Sequence, residues 1–275
     1  MVATEENDNG RIRRRLGAMG SGADRPGEGR GEPALRPLPW CPLDPPPLAG
    51  PGARSPSPPP GAAASPPPTL LLLDRLQVVE SGQLASLEPL LDPEERLRHQ
   101  AFRLPEDRQR HLLGRAGLRL VLSAWLDRNP RSLRFSSGPH GKPELVDGGA
   151  AAPHFNLAHS GDLILLALHP DRPVGVDVER QRPDLDWRPI ARRLFPPAEL
   201  AALEAVPSAS QADAFLRHWC RLEARLKASG DGLAGLQGLR QGVADAPEIW
   251  DVQVPEGYRA AVALLPPRLA AARSS

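Results

Sequence analysis

The strongest constraint on the fold is an abrupt change in composition near residue 68. Sixteen of the 34 prolines and 10 of the 25 glycines lie within residues 1–68. A segment of this kind cannot bury enough apolar surface to offset the entropy lost on ordering. We therefore predict a disordered tail over residues 1–68, a folded part over residues 69–267 and a flexible C-terminus over residues 268–275. About 200 residues are enough for one core or for two small lobes.

The charge balance gives no sign of a nucleic-acid or membrane partner. The chain has 34 basic and 33 acidic residues and a formal net charge of +1. The apolar run Leu70–Leu73 is too short to cross a bilayer, and no secretory signal follows Met1. Cys41 and Cys220 lack the spacing of metal ligands, so we expect free thiols in a reducing compartment. These features predict a cytoplasmic protein, and we expect it to be a monomer.

The apolar periodicity of the folded part predicts an α+β fold. Helical spacing predicts long helices over residues 105–127 and 210–233, with Asp92 capping a shorter helix and Gly230 ending the last one. A further helical stretch is predicted to break at residues 196–197. Strands are predicted over residues 69–77 and 174–179, a strand followed by a Gly/Pro loop over residues 133–145, and two strands around a His-Ser-Gly turn over residues 154–169. Residues 248–265 are predicted as strands with a turn near residues 255–257. Residues 170–173 are predicted to turn the chain into the strand 174–179, which forms a β-hairpin. The order of these elements favours antiparallel sheets over a doubly wound parallel sheet.

Three acidic residues are candidates for chemistry. Asp177 and Glu179 are two apart on a predicted strand, so they project from one face and repel each other unless a positive charge lies nearby. Glu223 lies at the edge of the apolar stripe of the helix over residues 210–233, and Lys227 follows one turn later. The residues alone leave three interpretations open, which are an exposed strand, ordinary ion pairs, or a site for Mg²⁺, which prefers carboxylate oxygens.

Two turn regions upstream could bind phosphate. Residues 138–143, GPHGKP, can present backbone N–H groups and the ammonium of Lys142 to a phosphate, or can form a plain β-turn. In FNLAHS, residues 155–160, His159 and Ser160 are neighbours on a strand and point apart, which argues against a Ser–His–Asp device. His159 is either a phosphate ligand or an ordinary turn histidine. The sequence contains no GxSxG, Walker A or HExxH motif.

In this order, the four segments resemble the 4′-phosphopantetheinyl transferases of the surfactin-synthetase type. Residues 175–179, GVDVE, match the family's strand motif. Trp219, Glu223, Ala224 and Lys227 match its helix motif, and residues 141–143 and 155–160 match its GKP and F-N-(I/L)-S-H-S segments. The resemblance covers about residues 69–265. The chain departs from the pattern at Leu222, where a lysine is usual, and at Ala158, where a serine is common.

The resemblance implies an enzyme with a defined fold and reaction. Such enzymes transfer the phosphopantetheine arm of coenzyme A to a serine of an acyl or peptidyl carrier protein and release adenosine 3′,5′-bisphosphate. The implied fold has two similar α+β lobes related by a pseudo-twofold axis, here residues 69–170 and 171–267, with coenzyme A between them. Two alternatives stay open, which are a non-catalytic descendant that binds carrier proteins or coenzyme A and a metal-dependent phosphohydrolase.

The resemblance also implies a role for each candidate residue. Mg²⁺ is held by Asp177, Glu179 and Glu223. Glu223, or a water held by the metal and an acid, is the general base, while Lys227 stabilises the pyrophosphate or protonates the leaving group. The positions that bind coenzyme A are Arg98, Lys142, Asn156, His159 and Lys227. The serine nucleophile comes from the partner protein, which accounts for the lack of an activated serine in this chain.

Overall fold

The computed structural model describes residues 65–138, 141–232 and 247–266, together with the backbone of residues 35–37, and all of these belong to one compact unit. The predicted disordered tail therefore falls mostly outside the described residues, as do Cys41 and the C-terminal residues 268–275. Within that predicted tail, Leu35–Pro37 form a short strand, and Pro68 is already buried.

The described elements mix helices with mainly antiparallel sheets, which confirms the α+β prediction. The strands are β1 (Leu35–Pro37), β2 (Thr69–Asp74), β3 (Phe135–Ser137), β4 (Pro143–Leu145), β5 (His154–Ser160), β6 (Leu163–His169), β7 (Val174–Arg180), β8 (Glu248–Asp251) and β9 (Tyr258–Leu264). The α-helices are α1 (Arg75–Glu80), α2 (Leu84–Leu87), α3 (Pro93–Ala101), α4 (Pro105–Leu126), α5 (Arg188–Leu194), α6 (Pro197–Glu204) and α7 (Ser208–Ser229). No helix in these ranges is both long and apolar enough to cross a membrane.

The core is layered because the strands alternate their side chains between two faces. One sheet has the order β1-β2-β6-β5, and its side chains on one face, among them Ile164 and Leu166, pack against α4. Its other face, with Leu163 and Leu165, packs against a second sheet of order β7-β9-β8. Strand β6 is buried over its whole length, because both of its faces are covered. Helix α7 covers the far side of the second sheet.

Local signals in the sequence place the helix ends. Asp92 caps α3 by accepting a hydrogen bond from the backbone of Glu95, whose side chain accepts one from Asp92 N in return, which is a capping box. Gly230 ends α7 in the left-handed conformation at φ 81°, as expected for a C-terminal glycine. The break predicted at residues 196–197 separates α5 from α6.

Two predictions of local structure are wrong. Strand β7 does not form a hairpin with β6 but pairs in antiparallel register with β9, more than 80 residues later in the chain. The apolar sequence of β6 and β7 is compatible with either pairing, and the packing of β7 under α7 requires the second one. Residues 75–77, predicted as the end of a strand, begin α1 instead, because the Asp74 side chain accepts a hydrogen bond from the backbone of Leu76 and caps a helix.

Helix α7 lies unusually close to β7 at Gly175. A Cβ atom at this glycine would lie 2.1 Å from the carbonyl oxygen of Ala224 and 2.3 Å from the backbone nitrogen of Ala228. Both distances are far below van der Waals contact, so no residue with a side chain fits there unless the helix moves. Small residues on the facing surfaces, Cys220, Ala224 and Ala228, allow the same close approach along α7.

A buried histidine joins the start of the described fold to the β6–β7 connection. His169 is fully buried, and its Nδ1 accepts hydrogen bonds from the backbone nitrogens of Asp171 at 3.1 Å and Arg172 at 2.9 Å. Nε2 must therefore carry the proton, and it lies 3.0 Å from the carbonyl oxygen of Pro66. Burial lowers the pKa of His169, so the folded protein keeps this ring neutral.

We expect His169→Leu to lower the free energy of unfolding by about 2–4 kcal/mol, because two buried N–H groups and one carbonyl lose their partner. In the wild type, the contribution of His169 to the free energy of unfolding should also fall as pH drops below about 6.5. A lowered pKa in the folded state means that the unfolded chain takes up the proton more readily, so acid favours unfolding. Urea unfolding from pH 8 to pH 5 measures both effects. His159→Leu, at an exposed site, is the control and should change stability by no more than about 0.5 kcal/mol. Equal losses of stability in both variants would contradict the structural role of His169.

Candidate active site

A cleft of about 750 Å³ lies between the first sheet and the C-terminal half of α7. Its walls come from the start of α3, the middle of α4, the β3–β4 hairpin, β5 and the last turns of α7. All five residues predicted to bind coenzyme A line this cleft, namely Arg98, Lys142, Asn156, His159 and Lys227. Glu223 lines it as well. The structure thus brings together residues that are up to 129 positions apart in the sequence.

Two of these five residues also hold elements in place. Lys142 Nζ donates a hydrogen bond to the carbonyl oxygen of Lys227 at 2.7 Å, which ties the β3–β4 hairpin to the end of α7. Asn156 is buried, and its Oδ1 accepts a hydrogen bond from Val176 N at 2.9 Å, which joins β5 to β7. Their predicted contacts with coenzyme A remain predictions, since each has a structural role that accounts for its position.

Asp177 is the buried acid beside the cleft. Its side chain faces α7, is only 3% exposed, and accepts a hydrogen bond from Lys227 Nζ to Oδ1 at 2.5 Å. Its Oδ2 is buried and has no hydrogen-bond partner among the described residues. Burial raises the pKa of Asp177 to about 6 even though Lys227 acts in the opposite direction, and Glu179 and Glu223 raise it further.

The other two predicted acids, Glu179 and Glu223, both influence the charge of Asp177 and line two different cavities. Glu223 is half-buried in the cleft wall, and burial raises its pKa, with Lys227 opposing and Glu179 adding to the shift. Glu179 lines a second, smaller cavity of about 420 Å³, together with the β5–β6 turn and residues 180–184. Its Oε2 accepts a hydrogen bond from Ser160 Oγ at 2.8 Å.

The three carboxylates are oxygen ligands of the type that a divalent cation such as Mg²⁺ prefers. Asp177 offers a buried oxygen without a partner, and burial, with smaller contributions from Glu179 and Glu223, makes its ionisation costly, which a cation would relieve. In the described part of the chain, no group of three or more His, Cys, Asp or Glu side chains has the arrangement of a metal site. In the structure, the positive charge next to Asp177 is the ammonium group of Lys227, which forms a salt bridge with it.

A buried charged cluster behind the cleft was not anticipated from the sequence. Arg119 is fully buried, and it donates hydrogen bonds to Glu95 Oε2 at 2.8 Å and to Asp92 Oδ2 at 2.7 Å. Arg115, one turn earlier on α4, donates to the other oxygen of Glu95 at 2.7 Å and lines the cleft. The four-residue spacing of His111, Arg115 and Arg119 in the mostly apolar part of α4 indicates that these side chains share one face. The pairing of the two arginines with Glu95 depends on how α3 packs against α4.

His111 adds an uncharged ring to the same wall. Burial, with Arg115 the next largest influence, lowers the pKa of His111 to about 4, so the ring is neutral at pH 7. Its Nδ1 is buried and lacks a hydrogen-bond partner within the described ranges. The ring stacks near His99, with 6.0 Å between centroids. His111 thus contributes a neutral, half-buried ring to this wall of the cleft.

The structure accounts for the departures from the family pattern. Leu222, at the position of the usual lysine, packs against an aromatic cluster that includes Trp187 and Phe215. Arg221 does not replace that lysine, because it donates two hydrogen bonds to Asp251 at 2.7 and 2.8 Å and does not line the cleft. Ala158 is buried between the two sheets and contributes to the cleft wall.

The cleft has arginine, lysine and histidine side chains on its walls and buried carboxylates beside it. Such a cleft is suited to a phosphorylated ligand. Residues 173–261 match the family model of the 4′-phosphopantetheinyl transferase superfamily, and residues 80–171 match that of the 4′-phosphopantetheinyl transferase N-terminal region. The chain belongs to the 4′-phosphopantetheinyl transferase superfamily.

Individual relatives agree with the family match. The chain is 38% identical over 158 residues to the 4′-phosphopantetheinyl transferase HetI of Nostoc sp., covering 57% of this chain and 67% of that protein. It is 34% identical over 145 residues to the 4′-phosphopantetheinyl transferase Sfp of Bacillus subtilis, covering 52% of this chain and 62% of the relative. The slr0495 protein of Synechocystis sp. is 40% identical over 156 residues, which cover 57% of this chain and 63% of slr0495. The chain thus spans about two thirds of the length of these relatives.

Proposed function

We propose that the protein transfers the 4′-phosphopantetheine group of coenzyme A to a serine of an acyl or peptidyl carrier protein, in a Mg²⁺-dependent reaction that releases adenosine 3′,5′-bisphosphate. The family membership supports a transferase of this class. The observation that carries the proposal is the single cleft that collects Arg98, Lys142, His159, Glu223 and Lys227 next to buried Asp177.

The cleft suits a ligand with several phosphates. Arg98 of α3 and Lys142 before β4 are cations in its wall, and His159 adds a ring nitrogen on β5. Charge-assisted hydrogen bonds from such groups to phosphate are the strongest that side chains form. Lys227, at the end of α7, can leave Asp177 for the pyrophosphate of the substrate, because its side chain is still 32% exposed. In that position it stabilises the charge that the leaving phosphate acquires.

Glu223 is the candidate general base. Its half-buried position raises its pKa toward neutral pH, which makes it a better proton acceptor than an exposed glutamate at the same pH. Asp177, Glu179 and Glu223 would hold the divalent cation, whose charge would offset that of the pyrophosphate. Asp177 is the central member of this set, since it alone is almost fully buried and both glutamates influence its pKa.

The test is the intact mass of an apo carrier protein after incubation with the full chain, coenzyme A and Mg²⁺. We expect a single product heavier by one phosphopantetheine group, with adenosine 3′,5′-bisphosphate released in equal amount. Glu223→Gln, which keeps the shape of the side chain but cannot accept the proton, should slow product formation by about 10²- to 10⁴-fold.

Two other outcomes would overturn the proposal. Cleavage of coenzyme A without a carrier protein, and with no modified serine, would indicate a phosphohydrolase. Binding of coenzyme A or carrier protein without any product, while a known transferase modifies the same carrier, would indicate a non-catalytic binding protein.

A further inference from the structure

The turn between β5 and β6 is held by three other elements. Arg75, at the start of α1, donates from Nε to Asp162 Oδ1 at 2.8 Å and from its backbone nitrogen to Asp162 O at 2.7 Å. Arg110 of α4 donates from Nη1 to Gly161 O at 3.0 Å, and Tyr258 of β9 accepts from Asp162 N at 3.0 Å. Contacts from α1, α4 and β9 together leave this turn little freedom to move.

The turn is also tightly packed. Gly161 has a φ of +56°, and a Cβ atom there would lie 2.5 Å from Tyr258 Oη and 2.8 Å from Arg180 Cδ. The close approach of the turn to β7 and β9 therefore depends on this glycine. This close approach brings Ser160, the residue before Gly161, within hydrogen-bonding distance of the end of β7.

Ser160 links the anchored turn to Glu179. Its Oγ donates to Glu179 Oε2 at 2.8 Å and accepts from Arg180 N at 3.1 Å. A hydroxyl has one proton to donate, so the backbone N–H of Arg180 directs that proton toward the carboxylate. A hydrogen bond to a carboxylate is charge-assisted and stronger than a neutral one.

We propose that Ser160 is a positioning residue that orients the Glu179 carboxylate for a divalent cation shared with Asp177 and Glu223. A free glutamate side chain samples several rotamers and loses them when it binds a metal. Ser160, itself fixed by the anchored turn, restricts Glu179 before the metal arrives. The inference rests on the proposed function in one respect, which is the role of Glu179 as a metal ligand.

The experiment measures the affinity of the purified full chain for Mn²⁺ alone by electron paramagnetic resonance, which detects free Mn²⁺ without any turnover. We expect Ser160→Ala to weaken binding about tenfold, within the range typical for partners that orient a metal ligand. Ser160→Thr, which retains the hydroxyl, should stay within about threefold of the wild type. In a Glu179→Gln background, Ser160→Ala should add less than about twofold, because the two residues act through one contact.

Ser229→Ala is the matched control. Its hydroxyl donates to Leu226 O at 3.1 Å and accepts from the backbone nitrogen of Asp231 at 3.3 Å near the end of α7. It is not hydrogen-bonded to Asp177, Glu179 or Glu223, so Mn²⁺ affinity should not change. If Ser160→Ala loses its circular dichroism signal, Ser160→Cys takes its place, since a thiol donates only weakly, and the same tenfold loss is expected.

The outcomes separate this inference from the proposed function. Wild-type Mn²⁺ affinity in a folded Ser160→Ala variant, or an undiminished loss in the Glu179→Gln background, would overturn the positioning role while leaving the transferase proposal intact. A wild-type protein that binds no Mn²⁺ would overturn the positioning role together with the metal part of the proposed function. Carrier-protein modification, measured separately by mass, tests the transfer itself.

Discussion

Asp177→Asn is expected to abolish transfer and, in the metal-free protein, to increase stability. The loss of activity should reach about 10³-fold or more, since the variant removes a charge that we assign to holding the cation at the pyrophosphate. The gain in stability should be about 1–3 kcal/mol at pH 8 in the presence of EDTA. An active-site group that lowers stability in exchange for function is a common pattern in enzymes.

The physical reason for the gain is the raised pKa of Asp177. A shift from 3.8 to about 6 means that the ionised carboxylate costs the folded state ~3 kcal/mol at alkaline pH. The folded protein holds this proton more tightly than the unfolded chain does. The penalty is therefore absent below about pH 3.8 and grows as pH rises through about 6. The stability difference between variant and wild type should follow the same curve, reduced by the lost contact with Lys227.

Urea unfolding at several pH values, with EDTA present, measures this curve. Asp171→Asn is the control, because Asp171 is exposed and the same change of charge there should alter stability by no more than about 0.5 kcal/mol. A folded Asp177→Asn variant that is less stable than the wild type at pH 8 would contradict the electrostatic argument. Retained transfer activity would contradict the role of Asp177 in the site.

Gly175→Ala is expected to reduce both stability and activity. The new methyl group would lie 2.1 Å from the Ala224 carbonyl oxygen and 2.3 Å from the Ala228 nitrogen, so α7 must move outward by about 1 Å to restore normal contacts. Overpacking of this kind costs about 1–3 kcal/mol or more. Because Glu223 and Lys227 lie on α7 while Asp177 lies on β7, the shift separates groups that we propose to act together. A displacement of this size typically reduces the rate by about 10²-fold.

Thermal unfolding and the carrier-protein assay measure the two effects. Gly114→Ala is a suitable comparison, since a Cβ there meets only the Leu157 side chain at 3.4 Å and alanine favours a helix. That variant should be as stable as the wild type or slightly more stable. If Gly175→Ala kept the stability and the transfer rate of the wild type, this glycine would not be what sets the distance between α7 and β7.

Much of the local structure was readable because it depends on neighbours in the chain. The capping box at Asp92 and Glu95, the end of α7 at Gly230 and the break at residues 196–197 all follow from contacts within a few residues. The β5–β6 pair was equally predictable, since two apolar strands flank a short turn. The start of α1 was missed although its signal, the cap by Asp74, is local.

Pairings between distant segments could not be predicted in this way. Strand β7 pairs with β9 instead of its neighbour β6, because one face of β7 must pack on the first sheet and the other under α7. The charged pair of Arg119 and Glu95 depends on the packing of α3 against α4. Nothing in the spacing of Glu179 indicates that it faces a second cavity beside Ser160.

By itself, the sequence determined most of the helices and strands, the family and the main candidate residues of the site, because composition, periodicity and short motifs carry that information in order along the chain. Only the tertiary structure decided how those residues meet. It places Lys227 on Asp177, Lys142 on the end of α7 and Ser160 on Glu179. The reason is physical, since burial and close packing between segments far apart in the sequence set both the distances and the pKa values at the site.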